Sequence, residues 1–249
     1  MRAVSVHDST SPRGTTPENR VAALDWDRLA TDLDSQGFAL LQCFLDAAEC
    51  AEIISLYDRS AMFRKRVVME RHAYGRGEYQ YFAYPLPDLV AGLRAALYPR
   101  LSPIANRWNE AMGFDIRFPE DHEHFLKRCH EAGQIKPTPL ILRYGAGDYN
   151  RLHQDLYGEH VFPLQATVLL SKPGDDFTGG EFVLTEQRPR IQSRAEVVPL
   201  ERGDAVIFPV RHRPMRGPRG FHRAALRHGV STVRSGSRHT LGIIFHDAA

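Results

Sequence analysis

Residues 142–159 read LRYGAGDYNRLHQDLYGE, and within them His153 and Asp155 stand two positions apart. Side chains alternate across a strand, so that offset sends both to one face, where an imidazole and a carboxylate can share one metal ion. Alone the pair is a weak signal, because a histidine and an aspartate at a strand end recur by chance. Working outward adds context. PLILRY (139–144) precedes the stretch, and FPLQATVLL (162–170), GGEFVLTE (179–186), AEVVPL (195–200), DAVIFPV (204–210) and RHTLGIIFH (238–246) follow it. Short runs rich in Val, Ile, Leu, Phe and Thr, separated by Gly, Pro and Asp turns, have the texture of a sandwich or barrel rather than of βαβ units. ERGD (201–204) reads as the turn of a hairpin between its two neighbours.

Before Lys136 the pattern predicts helices. Val21 to Gln36 reads as one, with Gly37 placed for its C-terminal cap. GFALL (37–41) is a short strand, and Asp46 can cap a second helix running through Asp58, with Ile53, Ile54 and Tyr57 inward. Residues 86–112, interrupted at Pro99 and Pro103, and 119–132 complete a largely helical first half. The domain reading is a disordered tail over 1–20, rich in Ser, Thr, Pro and Arg, a helical support region over 21–136 and a β region over 137–249.

The 249 residues are 43% hydrophobic and 25% charged, which fits one globular unit with a full core and excludes a disordered or coiled-coil chain. The net charge is +2, yet residues 201–240 carry nine arginines against Glu201 and Asp204, a local +7 that can mark a surface for an anionic ligand. Cys43, Cys50 and Cys129 make no CxxC, as expected in a reducing compartment. With no signal-peptide pattern and no stretch near the roughly 20 apolar residues of a membrane span, the expected location is the cytoplasm.

A third ligand is available in ALRHGVSTVRSGSRHTLGIIFHDAA, where His228 would complete two histidines and one carboxylate. Such a facial triad leaves adjacent positions open on an octahedral iron, whereas zinc prefers a closed tetrahedral site. His122, His124, Cys129 and His130 are spaced on a helix in a way that does not converge on one face. Arg238, at the start of an inward strand, is the natural partner for a dicarboxylate's far end, since an uncompensated buried charge is costly and a guanidinium fork meets it bidentately. Thr240 can add a hydroxyl donor. A hairpin around Ser235 and Gly236 leaves open which face each of these residues takes.

The C-terminal half resembles the Fe(II)/2-oxoglutarate-dependent dioxygenase superfamily, in particular its prolyl-hydroxylase-like branch. The likeness covers about residues 138–247 and rests on RYGAGDYNRLHQD, TGGEF, RGDAVIFP and the spacing of His228, Arg238 and His246. It implies an α+β fold: a double-stranded β-helix, jelly-roll or cupin-like, with the helical first half packed on it. It implies that His153, Asp155 and His228 hold Fe(II), that Arg238 and Thr240 bind 2-oxoglutarate, and that Tyr144 hydrogen-bonds this cosubstrate. Tyr149 and Asn150 are weaker candidates, and Arg143 can face either way. O₂ and 2-oxoglutarate would be converted to succinate and CO₂ while a substrate C–H bond is hydroxylated, with ascorbate as a reductant.

The resemblance leaves the substrate open. The chain also resembles a bacterial branch of these oxygenases assigned to damaged nucleic acid, in which case RHRPMRGPRGFHRAALRH (211–228) would overhang the iron and hold phosphates. Against this, few aromatics accompany that loop to stack a flipped base. The spacing of His228, Arg238 and His246 instead favours a prolyl or other protein side-chain hydroxylase. A non-catalytic cupin-like metal binder is a third reading, which Arg238 argues against. The expected partner is thus nucleic acid or a peptide, not a membrane.

Overall fold

The expected short runs pair into antiparallel sheets in a computed structural model that describes residues 15–188, 191–218 and 220–249. Along the first half come α1 (Pro17–Ala22), α2 (Trp26–Gln36), β1 (Ala39–Leu41), α3 (Ala47–Ser55), β2 (Phe63–Val68), β3 (Gly75–Arg76), β4 (Glu78–Phe82), α4 (Asp88–Ala111) and α5 (His122–Glu131). The second half holds β5 (Leu140–Tyr144), β6 (Tyr149–His153), β7 (Leu164–Leu169), β8 (Phe177–Gly179), β9 (Phe182–Gln187) and β10 (Arg194–Val198). It ends with β11 (Ala205–Pro209), β12 (His212–Gly217), β13 (Gly220–Val230), β14 (Val233–Gly236) and β15 (Arg238–Ile244).

Seven strands form the major sheet in the order β1-β11-β7-β15-β5-β4-β2, and β10-β9-β13-β6-β3 form the facing one, with β12 paired to β13. Alternation divides the major sheet cleanly. On β15, Leu241 and Ile243 join a core with Leu93, Leu97, Leu101 and Trp108 of α4, while Arg238, Thr240, Gly242 and Ile244 line a cavity between the sheets. Phe177, Phe182, Leu184, Val206, Phe208 and Val233 fill the rest of that inter-sheet space.

Several expectations need correction. Residues 1–14 of the expected tail lie outside the described residues, but residues 17–20 are helical. Arg20 is buried, donating to the Phe44 carbonyl at 2.9 Å and pairing with Glu49 at 2.6 Å, so order begins before Val21. The helix expected over Val21–Gln36 breaks, because Asp25 caps a new start by accepting from the Arg28 N–H. α4 runs unbroken through Pro99 and Pro103. Both lie on its exposed face with Ala95, so the carbonyls left without their usual N–H partners face water. ERGD is a turn but not a hairpin, since β10 pairs with β9 in one sheet and β11 with β7 in the other. Beyond β1, the one short strand read from GFALL, the first half also supplies β2 and β4 to the major sheet and β3 to the facing one.

Candidate metal centre and cosubstrate pocket

The register of β6 against β13 creates the centre. His153 and His228 are direct cross-strand partners, and their rings lie 4.2 Å apart between centroids. A bulge between His228 and Val230 holds this pairing. It passes through Gly229, where a Cβ would come within 2.7 Å of the Asn150 carbonyl oxygen, so only glycine allows the approach. β6 ends at His153, and Asp155 follows in the loop, yet its carboxylate turns back to both rings. Its Oδ1 is 3.5 Å from His153 Nε2 and its Oδ2 is 3.2 Å from His228 Nε2. Among the described residues these three form the one cluster of potential metal ligands, with donor atoms all within 4.8 Å.

Neighbouring groups prepare these donors. His153 Nδ1 lies 2.7 Å from the Arg151 carbonyl oxygen, which places its proton there and leaves the Nε2 lone pair pointing inward. Tyr157 donates its hydroxyl to Asp155 Oδ1 at 2.7 Å. Burial and the adjacent carboxylate hold Tyr157 well above the usual phenol range, so it remains a donor. Burial opposes ionisation of Asp155, but the two histidines outweigh it and keep the carboxyl well below its ordinary value. His228 is lowered by burial and by His153, which favours the neutral imidazole a metal requires. Phe208 and Phe182 pack 4.8 and 6.1 Å from the His228 ring and shield it.

Arg238 lies in the same cavity, 1% exposed, opposite Tyr144 on β5. Nη1 donates to Thr240 Oγ1 at 2.5 Å, the guanidinium carbon sits 5.6 Å over the Tyr144 ring, and Nε has no partner. No carboxylate among the described residues pairs with it. Burial therefore lowers its pKa to about 10, with Tyr144 and Glu181 opposing. A buried cation with an orphaned donor, in a cavity shared with three convergent metal donors, fits a dicarboxylate that chelates the metal with its other end. Tyr144, pushed up to about 12 by burial, accepts from Asn150 Nδ2 at 3.3 Å, and both line the cavity.

The remaining candidates divide. Tyr149 does not line the cavity, and Arg143 faces outward, paired with Glu78 and stacked 4.4 Å over Tyr57. His246 is buried as an anchor, accepting the Phe162 N–H through Nδ1 at 3.2 Å. His122 and His130 bond the Phe245 carbonyl and Asp247 respectively and do not converge. Only the base of the arginine-rich segment approaches the centre, where the Leu226 carbonyl accepts from the Gln154 amide at 2.8 Å, and its tip points away. Gly220 at the hairpin tip is eight residues from His228 along β13, roughly 27 Å at about 3.4 Å per residue. Two of its arginines are structural. Arg213 is buried against Glu186 at 2.6 Å and donates to the Asp34 carbonyl, while Arg223 stacks 4.1 Å over Phe114. Sequence reasoning missed Tyr157, although it stands two positions beyond Asp155, the same offset that links Asp155 to His153.

The two facing sheets with a histidine, carboxylate and histidine beside a buried arginine define an Fe(II)/2-oxoglutarate-dependent oxygenase, an oxidoreductase on the double-stranded β-helix fold. The chain belongs to the family described as an oxygenase catalysing oxidative methylation of damaged DNA, which it matches over residues 77–248. It is 47% identical over 194 residues to an uncharacterised protein found in two strains of Mycobacterium tuberculosis, spanning 76% of this chain and 83% of the relative. Among solved structures, a Pseudomonas putida prolyl-4-hydroxylase superposes with a TM-score of 0.52 at 16% identity, covering 87% of this chain and 96% of that one. An oxidoreductase of the 2-oxoglutarate-Fe(II) oxygenase family from Burkholderia pseudomallei gives 0.51 at 18% identity, covering 91% and 94%. At such identities the likeness is of fold. No helix among the described residues is long and apolar enough to cross a membrane.

Proposed function

We propose that the protein oxidatively removes alkyl groups from damaged nucleic-acid bases. The observation that carries this reading is the family match over residues 77–248, which contains every member of the site, from His153 and Asp155 to Arg238. His153, Asp155 and His228 would hold Fe(II), and Arg238 with Thr240 would take the far carboxylate of 2-oxoglutarate. Fe(II) held there would supply activation of O₂, the chemistry by which 2-oxoglutarate becomes succinate and CO₂ as a substrate C–H bond is hydroxylated.

The chain's own groups position and protect. Arg238 fixes the cosubstrate without a proton transfer, because a guanidinium stays charged at working pH. Tyr157 holds Asp155 in one orientation, leaving its second oxygen for the metal. Phe182 and Phe208 keep water from His228. A hydroxylated N-methyl group breaks its C–N bond, the electron pair and a proton going to nitrogen as formaldehyde leaves, so oxygen insertion ends in an unmodified base.

The test is formation of succinate and formaldehyde from 2-oxoglutarate with Fe(II), ascorbate and an N-methylated single-stranded oligonucleotide. Wild type should give stoichiometric products, and Asp155→Ala should lose at least about 100-fold in rate. Equal rates in the two proteins would remove the assigned ligands. Stimulation by proline-containing peptides but not by oligonucleotides, even at low salt, would make the protein a side-chain hydroxylase instead.

A further inference from the structure

The metal cavity opens past its ligands. Tyr74, Tyr79 and Tyr157 form part of its wall and also line a surface groove of about 480 Å³. Aromatic rings floor this groove. Tyr79 and Tyr81 meet edge to face at 5.3 Å, Tyr81 and Tyr157 at 6.3 Å, and Tyr74, half exposed, stacks on His72 at 5.4 Å. Its rim is cationic. Arg64 lies 4.5 Å over the Tyr81 ring with Nε donating to the Pro137 carbonyl, Lys65 is exposed beside it, and neither pairs with a carboxylate among the described residues. The nearby acids are engaged elsewhere, Glu78 with Arg66 and Arg143, and Glu70 with Arg76. Unneutralised cations interleaved with stacking surfaces are what sequence-tolerant binding of a nucleic-acid single strand demands.

We infer that this groove holds a single-stranded stretch of nucleic acid, its phosphates along Arg64 and Lys65, and passes one unstacked base past Tyr74 and Tyr157 to the metal. The inference rests on the base-repair reading above and adds where and in what form the substrate enters. A base still paired in a duplex cannot reach Asp155 and His228, which lie inside the barrel at side-chain exposures of 12% each. The groove, not the hairpin of β12 and β13, then carries the phosphate contacts, and it groups several aromatic rings where the hairpin exposes Phe221.

The experiment measures fluorescence anisotropy of an N-methylated single-stranded oligonucleotide on the full chain, together with its KM in formaldehyde release. Arg64→Ala/Lys65→Ala should weaken binding about tenfold at low salt and reduce the slope of log affinity against log salt by about 1.4, at ~0.7 per phosphate contact on a single strand. Tyr74→Ala should raise KM at least fivefold, while Tyr74→Phe, which keeps the stacking ring, should not. Arg216→Ala on the exposed hairpin should leave affinity and slope unchanged. Wild-type binding and salt slope in the Arg64/Lys65 variant, or equal weakening by Arg216→Ala, would overturn the groove while the base-repair reading stood on wild-type turnover. A wild type that neither binds nor demethylates the oligonucleotide would overturn both.

Discussion

Replacing Arg238 by Met should move stability and cosubstrate affinity in opposite directions. Arg238 is fully buried and pairs with no carboxylate among the described residues, and burial lowers its pKa from the ordinary 12.5 to about 10. That difference corresponds to a desolvation cost on the order of 3 kcal/mol. At pH 7 the guanidinium is protonated both folded and unfolded, so the whole cost is present there, and it is relieved only above about pH 10. Methionine fills similar space without charge. Allowing about 1 kcal/mol for the lost bond to Thr240, the ligand-free variant should gain roughly 1–2 kcal/mol. At about 2–4 °C per kcal/mol for a chain of this size, Tm rises by several degrees. Binding should show the reverse. A dicarboxylate entering the variant buries an unpaired charge at a cost of about 3–5 kcal/mol, or roughly two to four orders of magnitude in Kd. Differential scanning calorimetry of the ligand-free proteins and anaerobic titration of 2-oxoglutarate in the presence of Mn(II) read the two effects. A variant that melts lower without ligand, or binds 2-oxoglutarate as tightly as wild type, would refute the assignment of Arg238 as an anchor held at a cost to stability.

Tyr157→Phe removes the hydroxyl that donates to Asp155 and should weaken metal affinity about 10- to 100-fold in an anaerobic titration; unchanged affinity would show that the bond does not orient the ligand. Gly180 has φ of +64° and would place a Cβ 2.9 Å from Arg238 Cδ, so Gly180→Ala should raise the KM for 2-oxoglutarate about tenfold, and an unchanged KM would mean that the guanidinium tolerates displacement. Burial lowers the pKa of His122 to about 4 and that of His246 to about 3, against about 6.5 when unfolded. Between pH 6.5 and about 4 the unfolded chain takes up protons that the folded chain refuses, so stability is lost as pH falls, by up to ~1.4 kcal/mol per unit for each histidine. Denaturant midpoints at pH 7 and pH 5 measure this, and a His122→Gln variant should show a shallower dependence.

Much of the site was legible because His153, His228, Arg238 and Thr240 sit on strands, whereas Asp155, expected on the strand with His153, lies in the loop just after β6. His153, Asp155 and His228 converge, and Arg238 and Thr240 share one face of β15. What the sequence left open was parity across turns. Between His228 and Arg238 the chain leaves β13, pairs as β14 with β8 in a separate two-stranded ribbon, and only then enters the major sheet. Counting residues through a hairpin could not assign those faces. ERGD failed as a hairpin for a related reason. Its composition specifies a reversal, but not which sheet receives the outgoing strand. Asp204 decides that by accepting from the Cys43 N–H at 2.8 Å and from the Glu201 N–H at 3.0 Å, which ties the turn to the loop after β1.

The strands least visible in the sequence have a direct consequence for specificity. FRKRVV in β2 lacks alternation because it is an edge strand with exposed Lys65 and Arg66, and EYQYF in β4 offers only one short period. Yet β4 pairs with β5 so that Tyr79 stands opposite Leu142, in the lumen row that continues to Thr240. The half without the metal motif therefore supplies part of the cavity wall, and with Tyr74 and Tyr81 most of the aromatic approach to it. Chemistry and recognition rest on different stretches of the chain. On the roles proposed above, metal and 2-oxoglutarate are held by residues within 144–240, whereas the proposed approach is shaped largely by residues 64–82. Substitutions in the second set should change which substrate is oxidised while leaving the affinity for 2-oxoglutarate as it is, a separation expected wherever rim segments are grafted onto a conserved barrel geometry.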